Sequence, residues 1–249
     1  MDTVTYIGHA TLLMELDGLR LLTDPLLTAR VNHLVRLSPA PAKPANWELD
    51  AVLISHLHAD HLHLPSLRRL GPDRQFLAPR GAAAYLARHG FRRVEEMDPG
   101  EVFLLNGVEI EATQANHPGR KMPGRPDTQA IGYVIHARRH VYFAGDTDLF
   151  SGMAAIGEKL DVALLPVWGW GPTLGVGHLN PYRAAQALDL LRPALAIPIH
   201  WGTYFPMGLR PFLPKLLYHP PQAFGEFARR LSPAVRVVVL DPGEGLELG

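Results

Sequence analysis

The stretch His56-Leu57-His58-Ala59-Asp60-His61 sets four potential metal ligands within six residues, directly behind the apolar run Ala51-Val52-Leu53-Ile54. Imidazole nitrogen and carboxylate oxygen suit zinc, iron or manganese. Side chains of an extended segment alternate with a period of two, so His56 and His58 point to the same side and can grip one ion together. If the chain then turns into a helix, Asp60 and His61 aim a short distance away, far enough to hold a second ion. The competing explanation is a His-rich loop that binds metal adventitiously, and three sites further along the chain weigh against it.

Those sites are strand ends. The run 50–55 reads as a buried strand ending in His56, and 140–145 as one ending in Asp146. The run 161–167 ends in a Gly/Trp loop, and 194–199 ends in His200. Apolar runs of this length, buried on both faces, belong to sheets covered by helices. His117 follows a further strand at 108–112. A lone histidine after a strand is usually a satisfied loop residue, but here several strand ends each present a metal-ligand type. The opening runs 4–7, 11–16 and 19–24 read as strands, with Asp17-Gly18 as a hairpin turn. Helical segments are expected at about 65–70, 82–88, 181–191 and 222–231. The third is well marked, with Asn180 as N-cap and Pro181 in the first helical position. Residues 28–47, rich in proline, read as a long loop and a candidate lid or rim. The similarity of strands 50–56 and 161–167 hints at an internal duplication.

The bulk numbers bound the answer. The 249 residues suffice for one large domain or two small ones, and no linker divides them. Hydrophobic content of 47% and charged content of 19% are ordinary for a globular chain with a substantial core. With 24 basic and 24 acidic residues, no global field favours nucleic acid or an anionic membrane. There is no cysteine, so disulfides and thiolate metal sites are excluded and any metal is held by nitrogen and oxygen. No apolar run reaches the length of a membrane span and the start lacks the regions of a signal peptide, so a cytoplasmic enzyme is the default expectation.

The pattern His56, His58, Asp60, His61, then His117, Asp146 and His200 in that order, resembles the metallo-β-lactamase fold superfamily over essentially the whole chain. Within it the residues Gly8-His9-Ala10-Thr11, Leu22-Thr23-Asp24-Pro25, Phe143-Ala144-Gly145-Asp146-Thr147 and Ile199-His200-Trp201-Gly202-Thr203 look closest to one branch. That branch holds N-acyl-phosphatidylethanolamine-hydrolysing phospholipase D and the L-ascorbate-6-phosphate lactonases. The resemblance implies an α+β fold, a four-layer αββα sandwich of two mixed sheets with helices outside, formed by residues 1–249 as a single domain. It implies two divalent metal ions, zinc first, with manganese or iron as alternatives. His56, His58 and His117 would bind one, Asp60, His61 and His200 the other, and Asp146 would bridge them. Metal-activated hydroxide would attack a small-molecule ester, a phosphodiester first and a lactone as the alternative, with Asp60 orienting it. A non-hydrolytic di-iron redox protein is a second class, and a catalytically silent metal-binding protein a third. A β-lactamase proper and an RNA nuclease fit the residues less well. No nucleic acid and no integral membrane segment are expected, and a homo-oligomer is left open.

Around this constellation other residues carry expectations. His178, just before the capped helix, either binds substrate or protonates the leaving group, or is structural. Asp24 is expected to brace a metal-bound histidine, and His9 to be structural. Trp168 and Trp170 suggest a mobile apolar substrate loop, whereas Trp201 reads as core. Arg120, Lys121 and Arg125 form a cationic loop that either holds an anion or is simply solvated. His33, His63, His89, His136, His140 and His219 have no distinguishing spacing. Residues 204–224 read as a hydrophobic cap, a dimer surface or a lipid-facing patch.

Overall fold

Alternation along the strands sorts the apolar residues into layers. In the strand Ala51–Leu53, Ala51 and Leu53 join the large cluster shared by both main sheets, while Val52, with Ile54, joins a second cluster. The strand Gln75–Pro79 divides the same way, Leu77 inward and Phe76 with Ala78 outward. The outer cluster is closed by Leu67 and Leu70 of the helix Leu64–Leu70 and by Tyr85 and Leu86 of Ala83–Arg88. Period-two burial therefore dictates a layer of helices on the far face of this sheet. The computed structural model describes residues 1–39, 41, 47–118 and 124–249.

The N-terminal sheet has seven strands in the order Gly245–Glu247, Thr3–Gly8, Thr11–Leu16, Leu19–Thr23, Ala51–Leu53, Gln75–Pro79, Val94–Met97. The first four pair antiparallel and the rest parallel. The C-terminal sheet also has seven, in the order Val102–Leu105, Val108–Gln114, Ile131–His136, His140–Phe143, Val162–Pro166, Leu195–Ile199, Arg236–Val237. Again an antiparallel meander passes into a parallel half. The strands 51–53 and 162–166, whose similarity was noted above, are the first parallel strands of their respective sheets. The fold is the αββα sandwich of the metallo-β-lactamase class, with the helices Pro181–Leu191 and Lys215–Leu231 packed together and lending Leu188, Leu191, Phe224 and Ala228 to the larger cluster.

Local readings hold where chemistry is local. Asp17 and Gly18 both have positive φ, 46° and 82°, as a two-residue turn between paired Leu16 and Leu19 requires. Asn180 Oδ1 accepts from Arg183 N at 2.9 Å and caps the helix at its expected start. The last helix begins at Lys215 rather than at 222 and runs through Pro220 and Pro221. Both prolines are buried, and that burial offsets the missing N–H donors that suggested a later start.

Part of 28–47 is ordered by pairing. Arg30–Val31 and Leu34–Arg36 form a three-stranded sheet with Tyr204–Pro206, so the expected lid and the expected cap meet edge to edge. Arg36 ties this sheet down, donating through Nη2 to Ile7 O at 2.6 Å and through Nη1 to Leu26 O at 3.1 Å. No such partner is visible in a window read alone. Among the described residues no helix is long and apolar enough to cross a membrane.

Candidate metal centre

Both sheets deliver their polar residues to one end. His9 follows Thr3–Gly8, Asp24 follows Leu19–Thr23, and Ser55 to His61 follow Ala51–Leu53. From the C-terminal sheet come His117, Asp146 and His200, after Val108–Gln114, His140–Phe143 and Leu195–Ile199. The sheets are stitched together there. Ile131 N donates to Ser55 O at 2.9 Å, Tyr133 Oη to Ile54 O at 2.8 Å, and His200 N to His9 O at 2.8 Å. The approach is tight enough that Gly145, at φ +60°, sits where a Cβ would lie 2.6 Å from Ser55 Cβ. Glycine immediately before Asp146 is thus a steric requirement. His9, Asp24 and His200 themselves have positive φ, a conformation that non-glycine residues adopt only when held there.

The expected ligand residues converge in two neighbouring groups. His56, His58 and His117 each offer an atom within 4.8 Å of the others, and so do His9, Asp60, His61 and His200. Asp146 lies between them. Its Oδ2 is 3.2 Å from His61 Nε2, its Oδ1 is 3.3 Å from His200 Nε2, and it forms a third group with His117 and His178. All but His58 and Asp60 are buried, and those two are half-buried.

The second ring nitrogens are fixed by the protein. His117 Nδ1 faces Gly177 O at 2.8 Å and His200 Nδ1 faces Trp168 O at 2.8 Å. A carbonyl only accepts, so each Nδ1 carries the proton and each Nε2 keeps its lone pair for the centre. Asp24 sets two more. His61 Nδ1 donates to its Oδ2 at 2.7 Å, and Ser55 Oγ donates to the same oxygen while lying 3.0 Å from His56 Nδ1. One buried carboxylate thereby orients a histidine from each group, the bracing expected of Asp24 extended through Ser55. His58 turns Nδ1 toward the group, 3.2 Å from His117 Nε2, and His56 Nε2 and Asp146 Oδ1 are buried without a hydrogen-bond partner. Leaving such atoms unpaired costs about 1–3 kcal/mol each, which a shared cation would recover. The donor set, all nitrogen and oxygen, fits divalent zinc, manganese or iron.

Electrostatics follow the same layout. Burial, aided by neighbouring histidines, pushes His58 down to about 4, and burial pushes His200 down to about 3, so both rings are neutral and their lone pairs available. Burial opposes ionisation of Asp60 and Asp146, yet surrounding histidines outweigh it and hold both carboxyls well below the usual range. His61 is the exception. Asp146, Asp60 and Asp24 overcome its burial and raise it well above the ordinary imidazole value.

His178 stands at the mouth, its Nε2 3.4 Å from Asp146 Oδ2 and its ring 4.7 Å from that of His117. His9, read from sequence as structural, is closer to the chemistry than expected, with Nε2 3.0 Å from Asp60 Oδ2. Its position in a strand-end Gly-His pair is the one local signal it carries. Arg125 is half-buried, and its Nη1 donates to the Leu57 and Leu62 carbonyls and so clamps the loop that bears His58 to His61. Arg120 and Lys121 lie outside the described residues. Trp201 is core, stacked 6.0 Å from Tyr6. Trp170 packs edge-on to His33 at 4.9 Å, and His63 turns away toward Ser66 Oγ at 2.8 Å.

A family model of the β-lactamase superfamily domain matches residues 19–201. The chain belongs to that superfamily, as one of its metal-dependent hydrolases. It is 34% identical over 257 residues to the metal-dependent hydrolase MK1542 of Methanopyrus kandleri, covering 98% of this chain and 99% of that protein. It is 33% identical over 230 residues to the N-acyl-phosphatidylethanolamine-hydrolyzing phospholipase D 1 of Caenorhabditis elegans, covering 82% of this chain and 64% of the relative. Among solved structures it is similar to Igni18, a metallo hydrolase from Ignicoccus hospitalis, with a TM-score of 0.77 and 28% identity over 98% and 97% of the two chains.

Proposed function

We propose that this hydrolase works with two divalent cations, zinc first, and cleaves a small ester, a phosphodiester in preference to a lactone. The observation that carries the reading is the convergence of seven side chains, four of them histidines (His117, His200, His61 and His56) aimed by Gly177, Trp168, Asp24 and Ser55. His56, His58 and His117 would hold one cation, Asp60, His61 and His200 the other, and Asp146 both. When bound, the cations supply Lewis acidity and lower the pKa of water at the site. Similarity to a phospholipase that hydrolyses a phosphodiester supports that class of substrate.

The chain's own groups divide the remaining work. His9 holds Asp60 Oδ2 and fixes the carboxylate that would accept a proton from the attacking water. His178, the half-buried histidine at the mouth, has Nδ1 against Gly175 O and is raised above the ordinary imidazole value because Asp146 outweighs its burial, so its imidazolium form would place Nε2–H against the leaving-group oxygen. Asp24 would keep both ligand groups aligned without touching substrate.

The test is metal content per chain on protein purified without added metal, with hydrolysis of bis(p-nitrophenyl) phosphate on the same sample. About two zinc or manganese per chain, with activity lost on chelation and in Asp146→Ala, is the expected result. Two metals without diesterase turnover would move the substrate to lactones, and fewer than one metal under every loading condition would overturn the reading. His178→Ala with unchanged metal content and unchanged turnover would remove His178 from the mechanism.

A further inference from the structure

The C-terminal sheet carries a second group of metal-ligand side chains, at the end away from the metal centre. The strands Val108–Gln114 and His140–Phe143 run toward His117 and Asp146, so their first residues, and the last of Ile131–His136 between them, lie at the opposite end. There His136 pairs directly with His140 across the hairpin. Residues directly opposite in an antiparallel pair point to the same face, with Cβ atoms about 4.5–5.5 Å apart. The register therefore stands two imidazoles side by side, although their spacing along the chain distinguishes neither.

A third strand sets the chemistry of the pair. Glu111, from Val108–Gln114, places Oε2 2.9 Å from His136 Nε2. An ionised carboxylate only accepts, so Nε2 of the neutral ring carries the proton and Nδ1 keeps its lone pair. That Nδ1 faces His140 Nδ1 at 3.3 Å, with the two rings at 87°. Two nitrogens each about 2.0–2.1 Å from one tetrahedral zinc lie about 3.3–3.4 Å apart, so the gap is the one a shared ion would span. A carboxylate on the far nitrogen is also the partner that a ligating imidazole ordinarily has. The pair opens onto a cavity of about 620 Å³, lined on one side by residues of the short helix Met153–Ile156 and the turn Gly157–Lys159. Glu109 and Glu158 line it together with Glu111, against one lysine, Lys159. Three carboxylates against one ammonium give the cavity a field that draws cations.

We propose that His136 and His140 bind one divalent cation of the nitrogen-preferring kind, zinc, nickel or copper, through their Nδ1 atoms, with Glu111 orienting His136 and water completing the shell. The site is separate from the centre that runs from His56 to His200, and it stands whether or not that centre cleaves esters. An ion held there ties Ile131–His136 to His140–Phe143 beside the turn that joins them.

The experiment is equilibrium dialysis of the intact chain against zinc, with elemental analysis at saturation, on the parent and on His136→Ala, His140→Ala and Glu111→Gln. The parent should hold one zinc per chain more than either histidine variant at the same free zinc, whatever number the principal centre takes up. Glu111→Gln should keep that zinc but bind it about 10-fold more weakly. Bis(p-nitrophenyl) phosphate turnover, where the parent shows it, should be the same within twofold in all three variants, because none of these residues belongs to the principal centre. A long-range 1H–15N spectrum of the parent needs no variant and so does not depend on how the substitutions fold. On addition of zinc the His136 and His140 rings should both lock as Nε2–H tautomers. Equal zinc content in the parent and both histidine variants would overturn the proposal and leave a histidine–histidine hydrogen bond only, as would parent ring signals that do not respond to zinc.

Discussion

Replacing Asp24 by Asn should damage both folding and metal binding although the substituted atom touches no substrate. Asp24 is fully buried, and its Oδ1 accepts from Ser55 N at 2.8 Å while its Oδ2 accepts from Ser55 Oγ and from His61 Nδ1. Asparagine is nearly isosteric and tolerates the φ of 31° found here, so cavity and strain contribute little. Its carbonyl oxygen can keep the Ser55 amide, but its NH2 then faces two donors. Hydrogen bonds to a charged acceptor contribute about 1.5–3 kcal/mol each, and two are lost, for about 4 kcal/mol in all. In a chain of this size that lowers the melting temperature of the metal-free protein by about 8–16 °C. His61 can escape the clash by moving its proton to Nε2, but that nitrogen faces Asp146 Oδ2 at 3.2 Å and His200 Nε2 at 3.2 Å, so the lone pair leaves the centre. Metal affinity should fall about 10–100-fold, as when other second partners of ligating histidines are removed. The assays are thermal unfolding by circular dichroism on the chelated protein and competition against a chromophoric chelator. A variant that melts within 2 °C of the parent and holds metal within twofold would refute the relay from Asp24 to His56 and His61.

Gly177→Ala should weaken metal binding through His117. A Cβ there would lie 2.1 Å from Pro118 Cδ, at φ +83°, and would drive the Gly177 carbonyl off His117 Nδ1. A roughly 10-fold loss of metal affinity is expected, with Gly175→Ala, whose nearest neighbour is 3.8 Å away, as the unaffected control. Arg36→Met strands the Ile7 and Leu26 carbonyls, so the melting temperature should drop by about 5–15 °C and proteolysis within 30–39 should accelerate; unchanged cleavage would show that the small sheet holds without its arginine. Burial pushes Tyr6 up to about 12 and raises Tyr133 and Tyr142 as well. The unfolded chain ionises these rings near pH 10 while the folded one retains their protons, so stability falls as pH rises from about 10 to 12, by about 1 kcal/mol per such tyrosine at pH 11. Urea midpoints at pH 8 and pH 11 measure it, and Tyr6→Phe should show a smaller alkaline loss than the parent.

The metal-ligand types and their order are properties of the sequence, because each sits at the end of a strand whose apolar run is itself local. The hexapeptide 56–61 needs no partner to declare its chemistry, and neither do the hairpin at Asp17-Gly18 or the cap at Asn180, whose hydrogen bonds close within a few residues. What depends on tertiary structure is every contact made across large separations. His9 reaches Asp60 across 51 residues, Asp24 reaches His61 across 37, and His117 reaches Gly177 across 60. Each pairing joins segments that follow different strands of one sheet, and no window of sequence contains both members. The same holds for Arg125, which looks like an anion-binding cation in its own loop and is spent on the carbonyls of Leu57 and Leu62. It holds also for the segments 30–36 and 204–206, irregular in isolation and strands only because each supplies the other's hydrogen bonds. A short motif names the atoms that face the centre; the folded sheets decide which nitrogen carries the proton, because the acceptors that fix it come from elsewhere in the chain.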